Sequence, residues 1–252
     1  MSQKLGQNFL IDSKTAEREI KYADITNDDI VLEIGPGKGI LTKLLANSAK
    51  KVIAIEIDKN LIDRLKKSIP DNVEIIHGDC VKIDFNMLPK FDKIVSNLPF
   101  QISSPITFKF LEHDFKLAVL IYQKEFADRM IAKAGSKNYS RLSVGIYYKT
   151  KCELLETIPK TSFRPQPKVD SCIIRLAPRK TPPFEVLNEI FFQKLTKNLF
   201  NNRRKKIKNT LENNYDILLD GIPYLEKRVE NLTPEQIGEL SNILYKRINI
   251  KI

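Results

Sequence analysis

Histidine is nearly absent from this chain of 252 residues: His77 and His113 are the only two, too few to suggest a mechanism built on imidazole acid–base chemistry. Cysteine is scarce as well. Cys80, Cys152 and Cys172 are widely spaced and contain no Cys-x-x-Cys pair. They make neither a disulfide framework nor a zinc cluster, and they point to a reducing cytoplasmic setting without a bound metal. No stretch reaches the roughly 18 to 20 uninterrupted apolar residues that a membrane helix needs. The opening Met1-Ser2-Gln3-Lys4-Leu5-Gly6-Gln7-Asn8 has no apolar signal core and does not read as an exported chain. Internal repeats and low-complexity tracts are missing too. What is there is 42% hydrophobic and 29% charged, the balance of a globular protein long enough to bury a core without cross-links. Acidic residues are outnumbered: 42 Lys and Arg face 31 Asp and Glu, a net charge of +11. Such a field attracts polyanions, nucleic acid among them.

Apolar runs alternate with amphipathic stretches over the first 180 or so residues. Strands are expected at Asp29–Ile34, Lys51–Asp58, Asn72–Ile76, Lys93–Ser96 and Leu117–Tyr122, with helices near Ile40–Ala49, Leu61–Leu65 and Ile106–Glu112. This alternation predicts right-handed βαβ units and a mostly parallel sheet covered on both faces, an α/β domain. Two later strands, Cys152–Ile158 and Val169–Leu176, have no long helix between them, which predicts an antiparallel addition at one sheet edge. Pro178-Arg179-Lys180-Thr181-Pro182-Pro183 reads as a stiff linker. The rest is helical in pattern, with Thr233 capping a helix that has Pro234 in its first position. The chain is thus expected to divide into residues 1–178, a catalytic body, and residues 179–252, a small helical domain.

Candidate chemistry gathers at the ends of the expected strands. Glu33-Ile34-Gly35-Pro36-Gly37-Lys38-Gly39 lies between the first strand and first helix, where glycines permit a sharp turn and close approach of a ligand to bare backbone. The pattern is neither the Gly-x-Gly-x-x-Gly of dinucleotide binders nor a P-loop. Glu56 closes the second strand, where an acid can grip the hydroxyls of a ribose. Gly78-Asp79-Cys80 follows the third strand and offers Asp79 to an adenine amine. These elements imply a nucleoside-bearing cofactor and leave both NAD and S-adenosylmethionine open.

Asn97-Leu98-Pro99-Phe100, after the fourth strand, separates the two. The Asn97 side-chain oxygen and the Leu98 carbonyl, exposed by the turn at Pro99, can accept both N–H bonds of a planar exocyclic amine and turn its lone pair toward a sulfonium methyl. Phe100 can stack on a base drawn out of its helix. No general base is needed, because the amine becomes strongly acidic only once it has attacked. A hydride-transfer enzyme has no use for this tetrapeptide.

With these motifs in order, the chain resembles the ribosomal RNA adenine N6-dimethyltransferases of the small-subunit RNA. The matching pieces are Lys4–Leu10, Glu33–Gly39, Glu56, Gly78-Asp79, Asn97–Phe100, Gln123-Lys124-Glu125, Tyr139–Val144 and Phe163–Ser171. The resemblance implies a Rossmann-like methyltransferase fold, S-adenosylmethionine as donor, and two adjacent adenosines in the 3′-terminal hairpin of small-subunit rRNA as targets, each dimethylated. Carried over by position, Asn8 and Leu10 close over the cofactor and Gly35 and Gly37 lie against it. Glu56 holds its ribose and Asp79 its adenine, and Ile57 and Cys80 are further cofactor-binding candidates beside them. Asn97 meets both cofactor and amine, and Phe100 and Phe163 sandwich the adenine. Phe100 stands where Tyr is frequent in the family, which costs a phenolic hydrogen bond but not stacking. Ser140 replaces a common Gly in a loop near the RNA.

The last 74 residues hold 14 Lys and Arg against 9 Asp and Glu. Arg203, Arg204, Lys205, Lys206 and Lys208 form the densest basic run and, at helical spacing, could follow an RNA backbone; Arg141 is a further candidate. The expected partner is rRNA within the small subunit or its precursor, met by a monomer. Three other readings remain at this point: a large-subunit rRNA adenine N6-methyltransferase with the same style of pocket, a non-catalytic factor that holds back immature small subunits, and, more distantly, a NAD-dependent dehydrogenase.

Overall fold

A computed structural model describes residues 7–215 and 217–249; Lys4, Leu5 and Gly6 of the opening motif lie outside the described residues. The chain forms two compact units. One runs to Ala127 and includes Lys151–Pro178; the other joins Asp128–Thr150 to the segment from Arg179 onward. Asp128–Thr150, placed by sequence in the first division, packs instead with the C-terminal unit.

In chain order the first unit contains β1 (Phe9–Leu10), α1 (Ser13–Ala23), β2 (Ile30–Ile34), α2 (Ile40–Ser48), β3 (Lys51–Glu56), α3 (Lys59–Leu65), β4 (Val73–His77), β5 (Lys93–Asn97), α4 (Ser103–Phe110) and β6 (Leu117–Gln123). After α5 (Lys124–Met130) and α6 (Arg141–Lys149), it resumes with β7 (Thr150–Ile158), β8 (Phe163–Arg164) and β9 (Ser171–Pro178). The seven-stranded sheet has the order β4-β3-β2-β5-β6-β9-β7. Its first five strands are parallel and β9 runs antiparallel to β6. This is the Rossmann-like α/β fold of the sequence reading, with the antiparallel addition slotted between β6 and the edge strand β7.

The apolar runs explain the arrangement. Val31, Leu32, Val52, Ile53, Ile94, Val95, Val119 and Leu120 are completely buried, as strands covered on both faces must be. Helix α1, which the strand-by-strand periodicity did not reveal, is capped by Asp12, whose carboxylate accepts from the Lys14 N–H at 3.1 Å and the Thr15 hydroxyl at 2.6 Å. Its Arg18 reaches β7 and donates to Glu156 at 2.8 to 3.1 Å.

From β2 the sheet grows in both directions, toward β3 on one side and β5 on the other, so the crevice of an open α/β sheet belongs at their carboxyl ends. Pairing of β2 with β5 runs through Val31↔Lys93 and Leu32↔Ile94. Beyond that point the Ser96 hydroxyl bridges the strands, accepting from Ile34 N–H at 3.3 Å and donating to Ile34 C=O at 2.6 Å.

The second unit adds α7 (Glu189–Asn201), α8 (Ile207–Asn214) and α9 (Pro234–Asn249). Phe192, Leu195, Leu199, Leu211, Ile237, Leu240 and Leu244 form its core with Tyr139, Val144 and Tyr148 of the α6 region. Those three residues are the reason that region belongs here. Thr233 and Gln236 cap α9 reciprocally, at 3.0 and 3.3 Å, as the Thr-Pro pattern predicts.

Candidate active site

One pocket collects most of the candidate residues. It is lined by Asn8, Leu10, Gly35, Gly37, Glu56, Ile57, Asp79, Cys80 and Asn97–Phe100, from the carboxyl ends of β2, β3, β4 and β5 together with β1. It also includes Glu33 and Lys38, to which the sequence reading gave no separate role.

The glycine loop sets the near wall. Gly37 sits at φ +58, and a Cβ there would lie 2.9 Å from Cδ1 of Phe9. Only glycine lets this backbone pass so close to the ring. The Gly37 N–H donates to Glu56 Oε2 at 3.2 Å, while Ile57 and Asp58 N–H both donate to Glu56 Oε1 at 2.9 Å. Three backbone donors fix this buried carboxylate at the end of β3. A carboxylate offers about four acceptor positions, so capacity remains for a ribose hydroxyl. Beside it Ile57, a residue 48% exposed, presents an apolar surface to the pocket that suits a flat ring. Asp79 Oδ1 accepts from Val81 N–H at 3.0 Å, which fixes the turn after β4. Burial pushes the Cys80 thiol up to about 11, so its contribution is as a packed wall and not as a nucleophile.

At the end of β5 the Asn97 amide is half satisfied. Its Nδ2 donates to the Asn8 carbonyl at 3.4 Å, whereas Oδ1 is buried without a hydrogen-bond partner among the described residues. Asn8 is held in turn by its own Nδ2, which donates to Pro165 C=O at 2.7 Å. Strand β1 pairs with β8 through Phe9↔Arg164 and Leu10↔Phe163, so the opening motif and the Phe163–Ser171 motif meet as a two-residue clasp. Pro99 leads into a short 3₁₀ turn, Phe100–Ile102, whose start is fixed by Ser103 Oγ donating to Phe100 C=O at 2.9 Å.

Phe163 departs from its expected place. Its ring is 2% exposed, lies in the apolar core of the unit, and meets Phe100 edge-on with centroids 6.0 Å apart and planes at 65°. A base between two parallel rings needs roughly twice the usual van der Waals separation and aligned faces. The pair therefore forms no slot in this state, and one ring must turn before an adenine is enclosed.

Glu33 is the residue that motif reading passed over. It is 2% exposed and its Oε2 has no partner among the described residues. Burial pushes its carboxyl up to about 8, opposed by the Thr42 hydroxyl and reinforced by the charge of Glu56. The signal was an acid within an otherwise apolar run destined for a doubly covered strand, where an unpaired charge is costly.

The basic run lies in the second unit, and all of it but Lys208, which is on α8, lies off the helices. Asn202–Lys206 is the turn between α7 and α8, so helical spacing does not apply. Arg203 is committed internally: Nε donates to Glu230 Oε2 at 2.8 Å, Nη1 to Lys137 C=O at 2.9 Å and Nη2 to Ser136 C=O at 3.2 Å. Lys206 pairs with Glu226 at 2.6 Å. Arg204, Lys205 and Lys208 are exposed, and Arg141 is half-buried at the start of α6.

Residues 1–246 match the family described as ribosomal RNA adenine dimethylase. A probable ribosomal RNA small subunit methyltransferase A from Methanococcus maripaludis is 47% identical, over 98% of this chain and 97% of that protein. Among solved structures, a dimethyladenosine transferase from Plasmodium falciparum has a TM-score of 0.81 at 33% identity, covering 95% of this chain and 98% of its own. The 23S rRNA methyltransferase ErmE has a TM-score of 0.66 at 29% identity, covering 96% and 100%.

Proposed function

Since the chain belongs to the ribosomal RNA adenine dimethylase family, we propose that it dimethylates N6 of two adjacent adenosines in the 3′-terminal hairpin of small-subunit rRNA, with S-adenosylmethionine as donor. The observation that carries this reading is the Asn97 amide, with Nδ2 tied to Asn8 and a buried Oδ1 that has no donor among the described residues, in the lining of the crevice. An exocyclic amine supplies the missing N–H.

The pocket suits the donor. Gly37 leaves no side chain between ligand and backbone, Glu56 is prearranged for the ribose, Asp79 and Ile57 frame the place of an adenine, and Glu33, whose Oε2 has no partner among the described residues, offers a carboxyl to a cation. When bound, S-adenosylmethionine supplies an electrophilic methyl group on a sulfonium. The residues do the rest. Asn97 Oδ1 and the Leu98 carbonyl hold the two amine hydrogens in the plane of the base, which turns the nitrogen lone pair out of that plane. Phe100 stacks on the ring, and Phe163 joins it once the edge-on contact opens. These contacts strengthen as positive charge builds on the nitrogen, so they favour the transition state over the ground state. The proton then leaves an already acidic ammonium. After one methylation a single N–H remains, and Asn97 Oδ1 is the acceptor that keeps it.

Arg204, Lys205 and Lys208, with Arg141, supply cations for the RNA backbone. The protein is read as a cytoplasmic monomer that meets its RNA within the small subunit or its precursor. The large-subunit alternative draws on the likeness to ErmE, but the nearer structural likeness to the Plasmodium enzyme and the small-subunit name of the archaeal relative favour the first reading. The test is methyl transfer to small subunits that lack the modification, read by mass spectrometry of digested RNA, with large subunits in parallel. Dimethyladenosine in the 3′-terminal hairpin that vanishes with Asn97→Ala is the expected result. Methylation of large-subunit RNA alone would reverse the assignment.

A further inference from the structure

Three carboxyls neighbour one another at the cofactor pocket, Glu19 on α1, Glu33 on β2 and Glu56 on β3, and the last two line it. All three are buried, at 0%, 2% and 4% exposure. Only Glu56 is satisfied, by its three backbone donors. Both oxygens of Glu19 and Oε2 of Glu33 lack hydrogen-bond partners among the described residues, and Glu33 lines the pocket. The groups facing the pair are the Thr42 hydroxyl from α2 and the Ser96 N–H from β5, with Glu56 on the far side of Glu33; among the described residues no Lys, Arg or His is set against either carboxyl. Lys38 and Asp79 belong to the pocket wall.

A carboxyl without partner in such surroundings holds its proton, because ionising it there has neither water nor a cation to offset the loss of solvation. Burial accordingly pushes Glu33 up to about 8, and burial together with the charge of Glu33 raises Glu19 well above the ordinary carboxylate range. The chemistry of the pocket changes when a permanent cation enters it. We propose that Glu33, with Glu19 behind it, is a proton-releasing cation subsite that distinguishes the sulfonium-bearing donor from its neutral thioether product. This rests on S-adenosylmethionine being the donor.

When the donor binds, its positive charge favours the Glu33 carboxylate, and the proton passes to solvent. Methyl transfer moves the methyl to the amine nitrogen, leaves the electron pair of the broken bond on sulfur, and so abolishes the sulfonium charge. The carboxylate then faces a thioether, and Glu33 takes a proton back from solvent. Donor binding is thereby coupled to proton release, and product binding much less so. The sign follows by linkage: donor affinity rises with pH up to the midpoint of the empty site, near 8, and is level above it, while product affinity is flatter. Glu19 acts only through Glu33, as the second buried acid that denies it a counter-charge.

The experiment is calorimetric titration of the full chain with S-adenosylmethionine, and separately with S-adenosylhomocysteine, at pH 7 in two buffers of different ionisation enthalpy. Release approaching one proton per donor is expected, and clearly less per product. The donor Kd is expected to fall by up to about tenfold per pH unit between pH 6 and 8. Glu33→Gln, which keeps the neutral form, is expected to abolish the release and flatten the profile. If that variant fails to fold, Thr42→Val removes a hydroxyl that favours the carboxylate and is expected to move the midpoint upward. Donor binding without proton release, or equal release with both ligands, would overturn the subsite. Failure of the chain to bind either ligand would instead overturn the donor assignment on which it rests.

Discussion

Replacing Gly37 by alanine tests whether the opening strand is a wall of the cofactor pocket. Two costs add at this position. The backbone is left-handed at φ +58, which a residue with a Cβ adopts at about 1–2 kcal/mol. The new methyl also falls 2.9 Å from Phe9 Cδ1 and 3.1 Å from Cε1, closer than carbon atoms pack, so Phe9 must move. Phe9 is not a free side chain. Its backbone pairs with Arg164 in the β1–β8 clasp, and its ring lies 5.2 Å from the Lys38 ammonium. Displacing it therefore disturbs Asn8, whose carbonyl holds the Asn97 amide. Each kcal/mol of backbone cost predicts a fall in Tm of about 2–4 °C for a chain of this size. Gly135→Ala is the control: Gly135 has φ +83, but nothing lies within 4 Å of the position its new methyl would take, and it belongs to the second unit. Both variants are expected to lose the backbone cost in thermal denaturation, and Gly37→Ala more, because its methyl also meets Phe9. Only Gly37→Ala is expected to weaken cofactor binding, by about tenfold or more, for the loss of roughly 1.4 kcal/mol of ordered wall. Equal cofactor affinity in the two variants would show that Phe9 yields freely and that the clasp has no part in the pocket.

Two further outcomes follow from the geometry. Arg203→Ala leaves Glu230 and the Ser136 and Lys137 carbonyls without their donor and is expected to cost about 1–3 kcal/mol in chemical denaturation, whereas Arg204→Ala with Lys205→Ala and Lys208→Ala leaves stability within about 0.5 kcal/mol and reduces the salt dependence of RNA binding; the reverse pattern would exchange their roles. The ligand-free protein is expected to lose stability as pH rises from about 5 to 8, because Glu33 binds its proton more tightly folded than unfolded, with a slope of at most about 1.4 kcal/mol per pH unit from this group. Glu156 has the opposite sign: the hydrogen bond from Arg18 lowers its carboxyl, so its contribution is present above the ordinary glutamate range and is lost as the pH falls through the folded value. A Glu33→Gln denaturation profile as steep as the wild type between pH 5 and 8 would refute the first of these signs.

The sheet was legible because its order follows from apolar runs, and a strand buried on both faces has no other way to appear in sequence. Ile30–Ile34, Lys51–Glu56 and Lys93–Asn97 all stand within a residue or two of their expected limits. Helix α1 was not legible in the same way. Its apolar face, Ala16, Ile20 and Ala23, is short and built largely on small residues, with Thr15 and Glu19 buried beside them, so it stands out less than the strand runs. The boundary of the second unit failed for a related reason. Tyr139, Val144 and Tyr148 carry no mark of which core they enter, and only the packing against Phe192 and its neighbours assigns them.

The site divides along the same line between local and assembled information. Gly37, Glu56, Asp79 and Asn97 each lie at or just beyond a strand end, and a parallel sheet necessarily brings strand ends together, so their grouping follows from the motif order. The Asn8–Asn97 bond, the β1–β8 clasp and the Glu19–Glu33 pair join residues that are distant in sequence or that lie on an element without its own signature. The basic run shows the opposite limit. Composition identifies Arg203, Lys205 and Lys208 as equals, but a guanidinium beside two backbone carbonyls and a carboxylate is already solvated by protein, and an exposed ammonium is not. Charge density in a sequence therefore marks a surface, and only the partners of each cation say which of them remain to meet a phosphate.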